Sequence, residues 1–236
     1  MKKLFLLGFI FFLASCGSSE EEEYDASGVL EETIYEEYEE YEEEIVEEET
    51  PPPVVHIPPS AWPRRGVWEG NNYFNEYLNI NFSMPENWDK ITDEQIAAQM
   101  EIGIEFLEDA DSVDSIMAQA ETNSFMEMMA INNVTGANVT IAYQRLDDPS
   151  MSALDFIRYY TYYHFTAAGA EVTLDGFDNI MLGGNSWNVY SAHMDIMHLR
   201  IYIRSLVTVQ HGFARMITIV YTPESETVYE ILDFFS

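Results

Sequence analysis

Of the 42 Asp and Glu residues in this 236-residue chain, 17 crowd into Gly17 to Thr50, a stretch with no Lys, Arg or Pro. Such a block repels itself and has little apolar surface to bury, so it is expected to stay out of any packed core as a solvated spacer. The rest of the chain beyond Thr50 holds the other 25 acids against 8 bases, because Lys2 and Lys3 lie ahead of the block. A formal charge of -32 sets nucleic acid and anionic lipid aside as electrostatic partners. Within the block, Ile34, Tyr38, Tyr41 and Ile45 recur at spacings of four, three and four, which would align them on one side of a helix. Like charges at i,i+4 oppose that helix. Two further readings therefore stand beside the spacer: a helix that forms on a partner, and a weak divalent-cation sponge, although the spacing of a calcium loop is absent.

At the N-terminus, Lys2 and Lys3 precede an apolar run from Leu4 to Leu13 that is broken only by Gly8. A helix of that length covers roughly 15 Å, half of a hydrocarbon core of about 30 Å, so it is expected to direct export rather than span a membrane. The run ends in Leu13-Ala14-Ser15-Cys16, which resembles the bacterial lipobox. The resemblance implies cleavage before Cys16, diacylglycerol on its thiol, and a protein anchored to the bacterial cell membrane on its extracytoplasmic side. Each buried methylene of such an anchor contributes about 0.8 kcal/mol, so basic residues are not needed for attachment. Cys16 is the sole cysteine, which excludes an internal disulfide and any cysteine-built metal site. Pro51, Pro52, Pro53, Pro58, Pro59 and Pro63 stiffen the chain that follows. From Gly17 to Ser60 it reaches on the order of 140 Å when extended and about 35 to 40 Å as a coil. The expected organisation is a signal peptide over 1–15, a lipidated cysteine with an acidic and then Pro-rich disordered spacer over 16–60, and a single domain over 61–236.

In that domain, Leu78, Ile80, Phe82 and Met84 alternate with polar residues as a half-buried strand ended by Pro85, with Trp88 at the following turn. Thr92 and Gln95 form a capping-box signal, and Ile96, Met100, Ile104 and Leu107 are expected to be the buried stripe of one helix. A polar connection over Glu108 to Ser115 leads to two apolar runs, Phe125 to Ile131 and Val139 to Leu146, joined by a hairpin loop at Asn132 to Gly136. Ser152 and Asp155 open a second helix that Gly169 is placed to end. Strands are expected near Glu171 to Leu174, Ile180 to Leu182, Trp187 to His193, Leu199 to Val209 and Phe213 to Tyr221. Turns are expected at Asp175-Gly176, Gly183-Gly184-Asn185 and Gln210-His211-Gly212, and Thr222-Pro223 opens a closing helix. This order predicts an α+β fold, an α/β/α sandwich with a mainly antiparallel central sheet covered by helices.

The opening from Tyr73 to Trp88 resembles the first strand of the PsbP-like and Mog-type fold, as found in exported Firmicutes lipoproteins. Asn79 stands where that pattern often has glycine. The resemblance implies a binding or assembly module and supplies no catalytic set to carry over.

The residues themselves agree with that absence of chemistry. His193, Asp195 and His198 form the densest metal-capable cluster, but alternation in a strand puts His193 and Asp195 on one face and His198 on the other. Glu105, Glu108, Asp109, Asp111 and Asp114 lack the glycine of a calcium loop and read as a solvated acidic face. No Gly-x-Ser-x-Gly elbow and no phosphate-binding glycine loop are present. No catalytic residue, cofactor or metal site is therefore assigned. Tyr159, Tyr162 and Tyr163 gather on one side of the second helix, a candidate contact for an envelope protein or peptide, since exposed aromatics concentrate at interfaces. The same tyrosines could equally cover a broad sheet. The expected function is a lipid-anchored, non-catalytic binding or assembly module for another envelope component. The alternatives are a small-ligand or cation-binding lipoprotein, and an envelope hydrolase whose site is assembled only in the fold.

Overall fold

The alternation that opens the folded part belongs to a small sheet of its own. The computed structural model describes residues 63–108, 112–158, 171–196, 199–223 and 231–235. In it β1 (Val67–Glu69), β2 (Asn72–Asn75) and β3 (Ile80–Ser83) pair antiparallel in that order. Glu69 faces Asn72 across a two-residue turn, and Gly70 supplies the positive φ of 62° that such a turn requires. These first two strands were not legible in a polar stretch. Trp88, expected at a turn, instead begins β4 (Trp88–Lys90), the edge of a second and larger sheet.

The first helix, α1 (Asp93–Met100), starts as its capping box dictates. Thr92 Oγ1 accepts from the Gln95 amide at 3.4 Å, and Gln95 Oε1 accepts from the Thr92 amide at 2.9 Å. It ends sooner than its apolar stripe suggested, because Glu101 turns left-handed at φ 56°. Leu107 belongs instead to a separate turn of helix, α2 (Glu105–Glu108). A further helix, α3 (Val113–Gln119), occupies ground expected to be a polar connection. Ser112 caps it, and Val113, Ile116 and Met117 are its buried side. Spacings of three and one, set among Asp114, Ser115, Ala118 and Gln119, carried the periodicity too weakly to stand out.

The larger sheet adds β5 (Ser124–Asn132), β6 (Asn138–Arg145), β7 (Glu171–Leu182), β8 (Asn185–Ile196), β9 (Leu199–Gln210) and β10 (Phe213–Tyr221). Its order is β4-β5-β6-β10-β9-β8-β7, and every neighbouring pair is antiparallel. The expected β5–β6 hairpin and the β8, β9 and β10 meander are all present. One turn is not: Asp175-Gly176 does not separate two strands, but forms a bulge between Leu174 and Gly176 within the single 12-residue β7. A bulge admits one extra residue without ending the ladder, and its sequence signature is the same as that of a turn. Gly183 and Gly184, both at positive φ, do make the β7–β8 turn.

Both faces of the large sheet are covered. Leu206 and Val207 are adjacent in β9 yet belong to different apolar clusters, as do Val189 and Tyr190 in β8. The main cluster joins Leu206, Ile217, Ile141 and Trp187 of the large sheet to Leu78, Ile80 and Phe82 of the small sheet and to Ile96, Ile116 and Met117 of α1 and α3. The other face packs Tyr190, Ala192, Val207 and Ala214 beneath Phe156 and Ile157, the last residue and the C-cap of α4 (Ala153–Phe156), whose N-cap is Ser152. Burial on both faces explains why β10 is apolar almost throughout instead of alternating. Each fully buried Ile or Phe here contributes about 1.5–3 kcal/mol. The outcome is a mainly antiparallel, sheet-rich α+β fold. The expected sandwich of one sheet between helices is corrected in one respect: a second sheet shares one face with the helices.

The C-terminal residues close the small sheet. Phe235 bridges to Phe82, the Ser83 amide donates to the Phe234 carbonyl at 2.9 Å, and Phe234 meets Trp88 edge-on at 6.3 Å. Residues 224–230, on which most of the expected closing helix falls, lie outside the described residues.

Candidate functional site

Four consecutive residues carry the chain into the fold, and each is tied. The Pro63 carbonyl accepts from the Val113 amide at 3.0 Å. The Arg64 carbonyl accepts from Asn75 Nδ2 at 3.2 Å. Arg65 donates to both oxygens of Asp93, at 3.1 and 2.6 Å, and to the Leu107 carbonyl at 3.2 Å. The Gly66 amide donates to Glu127 Oε1. Gly66 is needed for space as well: a Cβ there would run into the Phe74 carbonyl oxygen and the Tyr73 ring.

Glu127 is the centre of this joint. It occupies the bulge of β5, where Phe125 pairs with Tyr143 and Met128 with Ile141, so the carboxyl enters the space between the two sheets. There it is 3% exposed. Its Oε1 also accepts from the Tyr73 hydroxyl and from Asn75 Nδ2, the latter at 2.8 Å, while Oε2 is buried with no partner. Asn75 is held in turn, its Oδ1 accepting from the Leu78 amide at 2.7 Å and its Nδ2 reaching the Tyr143 hydroxyl at 3.2 Å. Burial pushes the Glu127 carboxyl above its ordinary range, against the opposing pull of the Tyr73 and Tyr143 hydroxyls, the Gly66 amide and Asn75 Nδ2. Burial first, and then the proximity of Glu127, push both tyrosine hydroxyls well above theirs.

A buried cation sits nearby with no carboxylate paired to it among the described residues. Arg215 of β10 is 2% exposed, lies 5.0 Å over the Tyr77 ring and donates to Gln210 Oε1. Burial holds its guanidinium below the usual value. These two groups are sealed, so neither presents a reactive atom to solvent.

The outward face of the small sheet is different. Val67 and Phe74 are cross-strand partners and are 59% and 39% exposed. Beside them lies a shallow hollow of about 260 Å³ lined by Phe74, Asn75, Glu76, Asn79, Ile80 and Asn81. It is rigidly backed, since Asn79 Nδ2 donates to the Gly183 carbonyl at 3.0 Å and Asn185 Nδ2 to the Leu78 carbonyl at 3.1 Å.

Cys16, Tyr159, Tyr162, Tyr163, His164 and His198 lie outside the described residues. His193 and Asp195 do share a face, as alternation required, but Asp195 is taken by Arg200 in a forked pair at 2.8 and 2.7 Å. Asp114 is likewise held by Arg145 at 2.6 Å. Among the described residues no three metal-capable side chains gather, and no helix is long and apolar enough to cross a membrane. Sequence reasoning missed Glu127. Its signal was a lone acid inside the apolar run Phe125 to Ile131.

No family model and no curated protein matches the chain. Among solved structures it is similar to the cyanobacterial PsbP protein (CyanoP) of Synechocystis, at 10% identity and a TM-score of 0.43, over 72% of this chain and 97% of that one. A Pseudomonas aeruginosa protein of unknown function, PA94, aligns at 11% identity and a TM-score of 0.30, over 43% and 68%. A Bacteroides thetaiotaomicron protein aligns at 9% identity and a TM-score of 0.37, over 72% and 48%.

Proposed function

We propose that the chain is a lipid-anchored extracytoplasmic protein whose PsbP-like folded part is a non-catalytic binding or assembly module for another cell-envelope component. The observation that carries this reading is the outward face of the small sheet, where exposed Val67 and Phe74 adjoin a shallow hollow lined with amide side chains. Apolar contacts flanked by hydrogen-bonding amides suit an extended protein segment. The hollow is smaller than the roughly 300–1,000 Å³ of sites that enclose a small organic ligand, which favours a partner over a metabolite. Tyr159, Tyr162 and Tyr163 are a second proposed contact. Cys16 supplies the anchor, and the acidic spacer gives the module its reach.

The test is affinity capture from solubilised envelope with the full chain, with a Val67→Ser/Phe74→Ser variant, and with a Tyr159→Ser/Tyr162→Ser/Tyr163→Ser variant, each shown to be folded. One envelope protein recovered specifically and lost in either variant supports the module and locates its face. Recovery of nothing, or recovery indifferent to both variants, refutes it.

A further inference from the structure

Alternation and burial turn Val67 and Glu69 of β1, Asn72 and Phe74 of β2, and Asn81 and Ser83 of β3 outward from the small sheet. Cross-strand pairing sets them in two rows, with Val67, Phe74 and Asn81 in one and Glu69, Asn72 and Ser83 in the other. Glu76, two residues beyond Phe74, lines the hollow on the far side of the first row. The apolar pair therefore lies between two acids, about 13 Å apart along β2 at ~3.3 Å per residue, with Phe74 midway. No base stands among these positions. The ion pairs among the described residues are Arg65 with Asp93, Arg145 with Asp114 and Arg200 with Asp195, so neither Glu69 nor Glu76 belongs to one. Lys90 lies over the ring of Trp68, which meets Tyr73 and Phe82 on the opposite side of β1. The face is also small: strands of three or four residues give it roughly 13 Å by 10 Å. That is far below the ~800 Å² per partner of a standard protein interface, and it matches one extended segment.

We propose that this face takes one extended, cationic segment of the envelope partner, with an apolar residue on Val67 and Phe74 and a Lys or Arg two residues to either side, opposite Glu69 and Glu76. This rests on the binding-module reading of the same face and names the chemistry that the face recognises. In a strand laid along β2, side chains at i, i+2 and i+4 point the same way and span the same ~13 Å. Base, apolar residue and base then meet acid, apolar pair and acid in register. The formal charge of -32 acts in the same direction, drawing cationic segments toward the chain at long range, while the spacing decides which of them seat.

Fluorescence anisotropy of two labelled peptides on the full chain tests this. One has the core lysine-threonine-valine-threonine-lysine. The other has the same composition as threonine-lysine-valine-lysine-threonine, which turns both lysines away from the side that the valine presents. Equal charge makes any general attraction to the acidic spacer the same for both. The alternating peptide is expected to bind more tightly, by up to about fivefold for each carboxylate it meets, and Glu69→Gln/Glu76→Gln is expected to erase that preference. Equal binding of the two peptides, or a preference that survives Glu69→Gln/Glu76→Gln, overturns the proposal. If an envelope protein is then still captured through Val67 and Phe74, the binding-module reading stands without it; if capture fails too, both fall. Should the variant not fold, amide NMR shifts of the wild type decide. Movement at Val67, Glu69, Phe74 and Glu76 with the alternating peptide supports the proposal, and movement elsewhere or none overturns it.

Discussion

Gly183 and Gly184 are adjacent, share a turn and both have positive φ, at 58° and 74°, yet they are expected to respond very differently to the same substitution. An alanine at either position forces an L side chain into the left-handed region at a cost of about 1 kcal/mol. At Gly184 that is the whole cost, because nothing lies within 4 Å of the added Cβ. At Gly183 the Cβ would strike the Asn79 carbonyl oxygen and would lie 2.7 Å from the Leu78 oxygen and 2.9 Å from the Asn79 carbonyl carbon. Those are backbone atoms and cannot swing aside. The turn must lift from the β2–β3 connection, losing the Asn79–Gly183 and Asn185–Leu78 hydrogen bonds, each contributing about 1 kcal/mol. The total for Gly183→Ala is about 3 kcal/mol. In urea, with a slope of roughly 2 kcal/mol per molar, Gly183→Ala is expected to unfold about 1 M earlier than Gly184→Ala at unchanged slope. Equal midpoints would show that the two turns do not support each other, and would refute the account of a rigidly backed hollow.

Other expectations follow from single contacts. Thr92→Ala removes one half of the capping box and is expected to cost about 1 kcal/mol in denaturant unfolding, with no loss refuting the cap. The Arg200 fork holds the Asp195 carboxyl below its ordinary range, so its contribution exists above that range and is lost as pH falls through the folded value. The stability gap between wild type and Asp195→Asn is therefore expected to be present at neutral pH, to close below about pH 4 and to shrink with salt. A gap that persists in acid removes the ion pair as its cause. Cys16→Ala is expected to move the protein from the membrane to the soluble fraction, and continued membrane retention would sink the lipid anchor.

The sequence alone determined the elements whose local chemistry is unambiguous. Thr92 with Gln95, Ser152 with Asp155, the β5–β6 hairpin and the two glycines at the β7–β8 turn are fixed by bonds and dihedrals among near neighbours, so they can be read from a few letters. The charge block from Gly17 to Thr50 is equally plain, because repulsion needs no fold to express it. What only the tertiary structure decided is where separate elements meet. Asp175-Gly176 becomes a bulge and not a turn because β8 continues alongside it, and α1 stops at Met100 although its apolar stripe runs on. Glu127 is the fullest case. As a letter it is one acid among 42, and its meaning comes from Gly66, Tyr73, Asn75 and Tyr143, residues brought from up to 61 positions away to a buried point between the sheets. Burial sets the energy of a charge, and burial is a property of the assembled sheets that no stretch of the chain contains.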